Sequence, residues 1–196
     1  MTSVLLAFAL ALAACSAPPR AYPDEIAAWR AEKDRFMREG SDSPVPADRR
    51  PTFAPLAYFP VDETYRVPAE LRVARGDDVM EMPTSTGLRR KMRRIGTLEF
   101  TLKGSRRTLT AFAEADDNDL RRLFVPFGDL TNGTETYQGG RYLDLDRTAT
   151  GLYDLDFNRA YNPFCVFNAS YDCPIPPREN RLHVPVRAGE RMPEQG

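Results

Sequence analysis

The stretch Gly96-Thr97-Leu98-Glu99-Phe100-Thr101-Leu102-Lys103-Gly104-Ser105-Arg106-Arg107-Thr108-Leu109-Thr110-Ala111-Phe112 decides the fold class. Apolar and polar residues alternate over 96–102 and again over 107–112, the period that sends successive side chains to opposite faces of a strand. Lys103-Gly104-Ser105 between them reads as a hairpin turn. The same short alternating runs spread outward from this pair. Upstream, 56–59, 65–67, 70–74 and 79–82 are candidate strands, and downstream 123–127, 141–145, 152–157 and 181–187 follow. Strands at this spacing without intervening helices predict a mainly β fold, an antiparallel meander forming a barrel or sandwich. Most of the 17 prolines fall where strands would end, which favours short strands with defined turns over long helices.

One helix stands outside that pattern. Ile26, Trp29, Lys33, Phe36 and Met37 recur at helical spacing over 24–39, with Pro23 and Asp24 suited to its start and Gly40 to its end. Trp29, the sole tryptophan, reads as the anchor of this helix against the domain. Residues 41–51 are polar and proline-rich and read as a linker or loop. The basic run Arg89-Arg90-Lys91-Met92-Arg93-Arg94 and the acidic Glu114-Ala115-Asp116-Asp117 read as a solvated loop or an edge strand kept soluble by charge. A surface for anionic lipid or an envelope polymer is the sharper reading of the same residues.

The N-terminus indicates export. Residues 4–14 are apolar and uncharged, too short to span a bilayer but the right length for the hydrophobic part of a secretory signal. Leu12-Ala13-Ala14-Cys15 resembles the site at which bacterial lipoproteins are cleaved and lipidated. Met1-Thr2-Ser3 departs from the usual pattern in carrying no Lys or Arg. The expected organisation is a signal peptide over 1–14, a lipidated tether over 15–22 and a single mostly-β domain over 23–196. Ser16 and Pro18-Pro19 after the cysteine suit an outer-membrane lipoprotein facing the periplasm, held by its lipid.

About 180 residues follow Cys15, enough for one domain with its own core. A formal net charge of −1 argues against nucleic acid as a partner. With Cys15 lipidated, Cys165 and Cys173 remain as a pair, and an oxidising compartment favours a disulfide between them. Closing so short a loop is worth about 2.5 kcal/mol on chain-entropy grounds.

The chemistry-bearing residues crowd into the C-terminal third. A polar, glycine-rich loop over 129–140 runs into Arg141, and Asp156, Asn158, Arg159, Tyr161 and Asn162 follow, then Glu179, Asn180 and Arg181. Polar groups set among aromatics are what a small-ligand site needs, since apolar walls desolvate the ligand and a few fixed polar groups orient it. On 152–158 alternation places Tyr153, Leu155 and Phe157 on one side and Asp154, Asp156 and Asn158 on the other. The structural alternative is an ion-pair network of Asp156, Arg159, Glu179 and Arg181 that ties the last strands together.

Several motifs fall short of their chemistry. Asp144-Leu145-Asp146-Arg147-Thr148 matches the D-x-D-x-T of aspartate-nucleophile phosphatases but lacks the helix that follows it in a parallel α/β sheet. As an EF-hand loop the same stretch has Ala149 where glycine is required. His183 is the only histidine, so no histidine-rich metal site is expected, and its spacing from the cysteines is wrong for zinc. No phosphate loop, dinucleotide fingerprint or Gly-x-Ser-x-Gly is present, and no cofactor is expected.

Gly139-Gly140-Arg141-Tyr142-Leu143-Asp144, the run from Asp156 to Pro163 with Cys165, and Cys173-Pro174 with the segment 176–182 resemble the bacterial family called domain of unknown function 1684. The helix around Trp29 and the segments 58–60 and 65–67 are similar too, so the likeness covers nearly all of the chain after the tether. The resemblance implies that the C-terminal motif is a family signature and brings no activity with it. Three functions follow from the residues: an envelope-anchored module binding a small molecule or envelope glycan, a hydrolase using Asp156, Glu179 or another carboxylate as acid–base with Arg159 or Arg181 stabilising charge, or a purely structural lipoprotein.

Overall fold

Lys103 and Gly104 have φ angles of 47° and 77°. A two-residue hairpin turn of type I′ requires this pair of left-handed conformations, because it matches the twist of the flanking strands. In the computed structural model, which describes residues 21–76, 78–116 and 121–192, this turn joins β3 (Arg89–Leu102) to β4 (Ser105–Glu114), with Leu102 opposite Ser105. The expected signal segment, Cys15 and the expected tether as far as Arg20 lie outside the described residues.

Five more strands extend the hairpin: β1 (Arg66–Val73), β2 (Val79–Pro83), β5 (Arg122–Phe127), β6 (Arg141–Asp146) and β7 (Leu152–Asp156). All pair antiparallel in the order β6-β5-β4-β3-β1-β7, and β2 pairs the first part of β3. The register of β3 shifts between Arg94 and Gly96. A bulge of this kind bends a strand, so β3 serves β2 with one half and β1 with the other. Gly96 is needed there, since a Cβ would run into the Arg72 carbonyl.

The sheet curls into a nearly closed barrel. Leu98, Leu102, Leu109, Leu123, Val125, Phe127, Leu143, Leu155 and Phe157 fill it and are buried. Tyr153, Leu155 and Phe157 all point into that core, as the alternation of β7 predicts. Met82 of β2, Met92 of β3 and Phe112 of β4 form a separate apolar cluster.

Two side chains replace missing backbone pairing. Among the described residues, the one register pair between β4 and β5 is Phe112 with Phe124. Asn180 bridges these strands beyond that point: its Oδ1 accepts from the Thr110 amide at 2.7 Å, and its Nδ2 donates to the carbonyls of Thr110 (2.9 Å) and Pro126 (2.7 Å). Its amide thus acts as an extra peptide unit in the ladder. Arg141 does the same for the C-terminal tail. Gly140, at φ 91° and too close to the Phe127 carbonyl for any Cβ, delivers Arg141 into the interior at 0% exposure. There it donates to the carbonyls of Val186 (2.7 Å), Ala188 (2.5 Å) and Glu190 (3.0 Å) and pairs with Asp129 at 2.9 Å.

Among the described residues α1 (Tyr22–Glu39) is the one α-helix, two residues longer at its start than the apolar spacing predicts. Residues 65–67 and 70–74, read as separate strands, are the single strand β1. The run 56–59 is not a strand; Tyr58 makes one bridge, to Glu190. Nor is 181–187, where Arg181 makes one parallel bridge to Gly128 and Pro185 removes a donor. The basic run lies within β3, where Arg90 meets Glu114 (3.1 Å) and Arg94 meets Asp78 and Glu179 (both 2.9 Å).

The Arg141–Asp129 pair yields a stability prediction. Arg141→Met keeps the side-chain bulk but strands the Asp129 carboxylate in the interior, which costs about 3–5 kcal/mol. A urea unfolding midpoint well below wild type is expected, and an unchanged midpoint contradicts the assignment.

Candidate functional site

β6 and β7 follow one another in sequence, yet each is an end of the sheet. The barrel leaves a seam between them, closed at one end where Tyr161 and Tyr142 exchange amide–carbonyl bonds of 3.0 and 2.9 Å. Alternation along β6 buries Arg141, Leu143 and Leu145 and turns Asp144 and Asp146 outward. β7 brings Asp154 and Asp156 to the other lip. A cleft of about 420 Å³ lies over this seam, with Glu25 and Trp29 of α1 beside it and Arg66, Arg122 and Arg159 among its walls.

A second cavity of about 370 Å³ adjoins it on the outer face of the sheet. Its walls are mainly aromatic: Phe124 and Tyr142 from the strands, and Phe164 and Tyr171 from the loop that crosses them. The Phe124 and Tyr142 rings meet edge to face at 4.7 Å, a favoured geometry for aromatic pairs. A third, shallower depression lies beside α1 at Trp29, Lys33 and Phe36. Asp144 and Tyr161 line all three, and Arg122 lines the first two.

The charges on the lips are mostly paired. Arg66 grips Asp154 with Nε at 2.7 Å and Nη2 at 2.5 Å. Arg159 joins Glu25 to Asp156 and lies over the Trp29 ring at 5.6 Å. Asp156 is capped by the Tyr22 hydroxyl at 2.8 Å and the Asn158 amide at 2.9 Å. Burial and the Asp156 carboxylate push the Tyr22 hydroxyl well above its ordinary pKa.

Asp144 differs from these. Its surface is open to the cleft, yet protein surrounds it on most sides. The loss of hydration raises its pKa, outweighing the Tyr161 hydroxyl that donates to it at 2.9 Å and the nearby Arg122 and Lys33. Burial and the Asp144 charge in turn raise Tyr161. Aromatic walls edged by accessible carboxylates and guanidinium groups suit a ligand that is part flat and apolar, part polar. Among the described residues, no group of three or more His, Cys, Asp or Glu is placed to hold a metal ion.

The residues that sequence reading singled out separate into two sets. Asp156, Arg159 and Tyr161 line the cleft. The rest do not: Asn158 is buried, bridging Asp62 and Tyr22, and Asn162 is buried against Glu190 and Arg191. Arg141 and Asn180 are interior struts, Glu179 pairs with Arg94, and Arg181 lies at the Gly128 bridge. The loop over 129–140 is largely self-satisfied, with Asp129 accepting from Thr131 and Thr131 meeting Thr136. The disulfide expected between Cys165 and Cys173 is not formed. Both are free thiols, and the Cys165 amide donates to the Cys173 Sγ at 3.1 Å.

Sequence reading missed Glu25, Trp29, Lys33, Arg66, Arg122, Asp144, Asp146 and Asp154 as parts of one site. Asp144 and Asp146 were legible as the outward face of a strand once the phosphatase motif had been set aside. Arg66 and Arg122 reach the cleft only through the pairing of β1 with β7 and of β5 with β6, which no local pattern encodes.

Residues 51–191 match the family described as Protein of unknown function (DUF1684). The solution NMR structure of an uncharacterised protein from Haloarcula marismortui is 41% identical, with a TM-score of 0.67, covering 86% of this chain and 92% of that one. No curated protein matches the chain.

The raised pKa of Asp144 has a signed consequence. A carboxyl raised by burial disfavours the folded state once it ionises, and that penalty disappears when it is protonated. Asp144→Asn is expected to unfold at a higher temperature than wild type near neutral pH. The advantage should vanish below the usual carboxylate range. A variant less stable than wild type near neutral pH contradicts this reading.

Proposed function

We propose that this chain, which belongs to the protein family of unknown function 1684, is a small-ligand binding module of the cell envelope. The observation that carries this reading is the meeting of three depressions at Asp144 and Tyr161. A flat apolar portion of the ligand packs against Phe124, Tyr142 and Tyr171, while its polar end reaches Arg122 and Asp144 over the seam. Metabolites and fragments of envelope glycans carry both kinds of surface. The location comes from the sequence: a signal segment over 1–14, then Cys15 lipidated and held at the outer membrane facing the periplasm.

Thermal stabilisation of the chain by a panel of metabolites and envelope glycans tests the reading. A compound that raises the melting temperature should lose that effect in Arg122→Ala and keep it in Arg181→Ala, since Arg181 lies away from the cleft. A shift that survives Arg122→Ala places the ligand elsewhere.

The raised pKa of Asp144 favours one second reading, a hydrolase with Asp144 as general acid. This moves the acid from Asp156 and Glu179, of which Asp156 is capped by three donors and Glu179 is bound to Arg94. In that case Asp144→Asn stops turnover of a bound compound while its stabilising effect persists.

A further inference from the structure

The loop that walls the aromatic cavity carries both described cysteines. Phe164, Tyr171, Asp172, Cys173 and Pro174 all line that cavity. The chain doubles back within the loop, setting the Cys173 sulfur 3.1 Å from the backbone nitrogen of Cys165. Cys173 is strapped in place from the turn after β2: its amide donates to the Ser85 hydroxyl at 3.0 Å, and its carbonyl accepts from the Ser85 amide at 2.8 Å. Cys165 is half-buried and Cys173 buried.

The surroundings make the two thiols unequal. The Cys165 sulfur lies 4.0 Å from the Tyr137 hydroxyl, and hydrogen bonding with Cys173, Ser85 and Tyr137 stabilises its thiolate. Hydrogen bonds to a thiolate favour it, and they pull Cys165 down to about 6 against the opposing effect of burial. The same contact and its own burial push Cys173 up. Tyr137, Tyr142 and Arg90 are the other titratable groups facing the pair. Cys165, the less buried of the two, is therefore the better nucleophile, and Cys173 beside it favours the protonated thiol.

We propose that Cys165 is a site of reversible oxidation by hydroperoxides, with Cys173 as its resolving thiol. The Cys165 thiolate attacks one oxygen of the hydroperoxide, forming an S–O bond as the O–O bond breaks. The departing hydroxide or alkoxide takes a proton from water, and Cys165 is left as a sulfenic acid. The Cys173 sulfur then attacks the Cys165 sulfur. The S–S bond forms, the S–O bond breaks, and hydroxide leaves with the Cys173 proton as water. Two thiols lose two electrons and the hydroperoxide gains them. A small dithiol reverses the change by exchange. The disulfide ties Cys165 to Cys173 across the wall of the cavity, so oxidation fixes the shape of that wall.

The test uses the full reduced chain, hydrogen peroxide and peptide mapping by mass spectrometry. The expected product is a linked Cys165–Cys173 peptide lighter by two hydrogens and restored by dithiothreitol. In Cys173→Ser, peroxide should leave a sulfenic acid on Cys165 that dimedone traps. In Cys165→Ser, Cys173 should stay reduced at the same dose. Iodoacetamide labelling of the unaltered chain needs no variant: Cys165 should react about tenfold or more faster than Cys173 at neutral pH, slowing as pH falls through about 6. A missing linked peptide, a bond that dithiothreitol cannot open, or equal labelling of the two thiols would overturn the proposal.

Discussion

Arg141 is a fully buried charge whose guanidinium holds three carbonyls of the C-terminal tail and the carboxylate of Asp129. A buried guanidinium is costly unless its charge and most of its donors are answered; here both Nη groups are bonded while Nε has no partner, so the tail must run where Arg141 dictates. That path puts the Glu190 carboxylate at 0% exposure, where the Asn162 amide (2.7 Å) and Lys33 Nζ (2.6 Å) meet it. Lys33 belongs to α1, and the helix it fixes presents Glu25 and Trp29 to the seam. Arg30 and Asp34 add bonds from the same helix to the Phe59 carbonyl and the Leu56 amide. The cleft beside the helix thus depends on a charge that never touches it.

Incomplete closure of the barrel supplies the rest of the site. A fully paired barrel would have no free strand edge there and no gap between Asp144 and Asp156. Here two consecutive strands remain apart, and β6 is bridged instead by the chain beyond β7, where Tyr142 meets Tyr161. A seam of this kind sets the outward carboxylates of two strands face to face, and three arginines lie among them. The ion pairs Arg66–Asp154 and Arg159–Asp156 tie up most of that charge. Asp144 is the carboxylate whose hydration the protein removes while leaving it open to a ligand.

Local patterns in the sequence carried much of the fold. The hairpin at Lys103-Gly104, the helix over 24–39 and the inward face of 152–157 depend on neighbours within one element, and the alternation records them. The segment 56–59 looked like a strand because it is apolar and extended, but its partner is the tail at Glu190, held there by Arg141. The basic run in β3 read as a solvated loop or an edge strand because its countercharges, Glu114, Asp78 and Glu179, are remote in sequence. The site was harder still to read. Arg141, Asn158, Asn162 and Asn180 have the residue types of a binding site, but burial turns them into backbone supports. Trp29 looked like a helix anchor, and only the docked helix brings its ring to the cleft.

The central claim is that the buried charges set by Arg141 hold the helix that completes the site. Amide hydrogen exchange across Tyr22–Glu39 in Glu190→Gln tests it most directly. Removing the charge that Lys33 meets should speed exchange throughout α1 while the amides of β3, β4 and β5 keep their protection. Exchange in the helix as slow as in the unaltered chain would contradict the account.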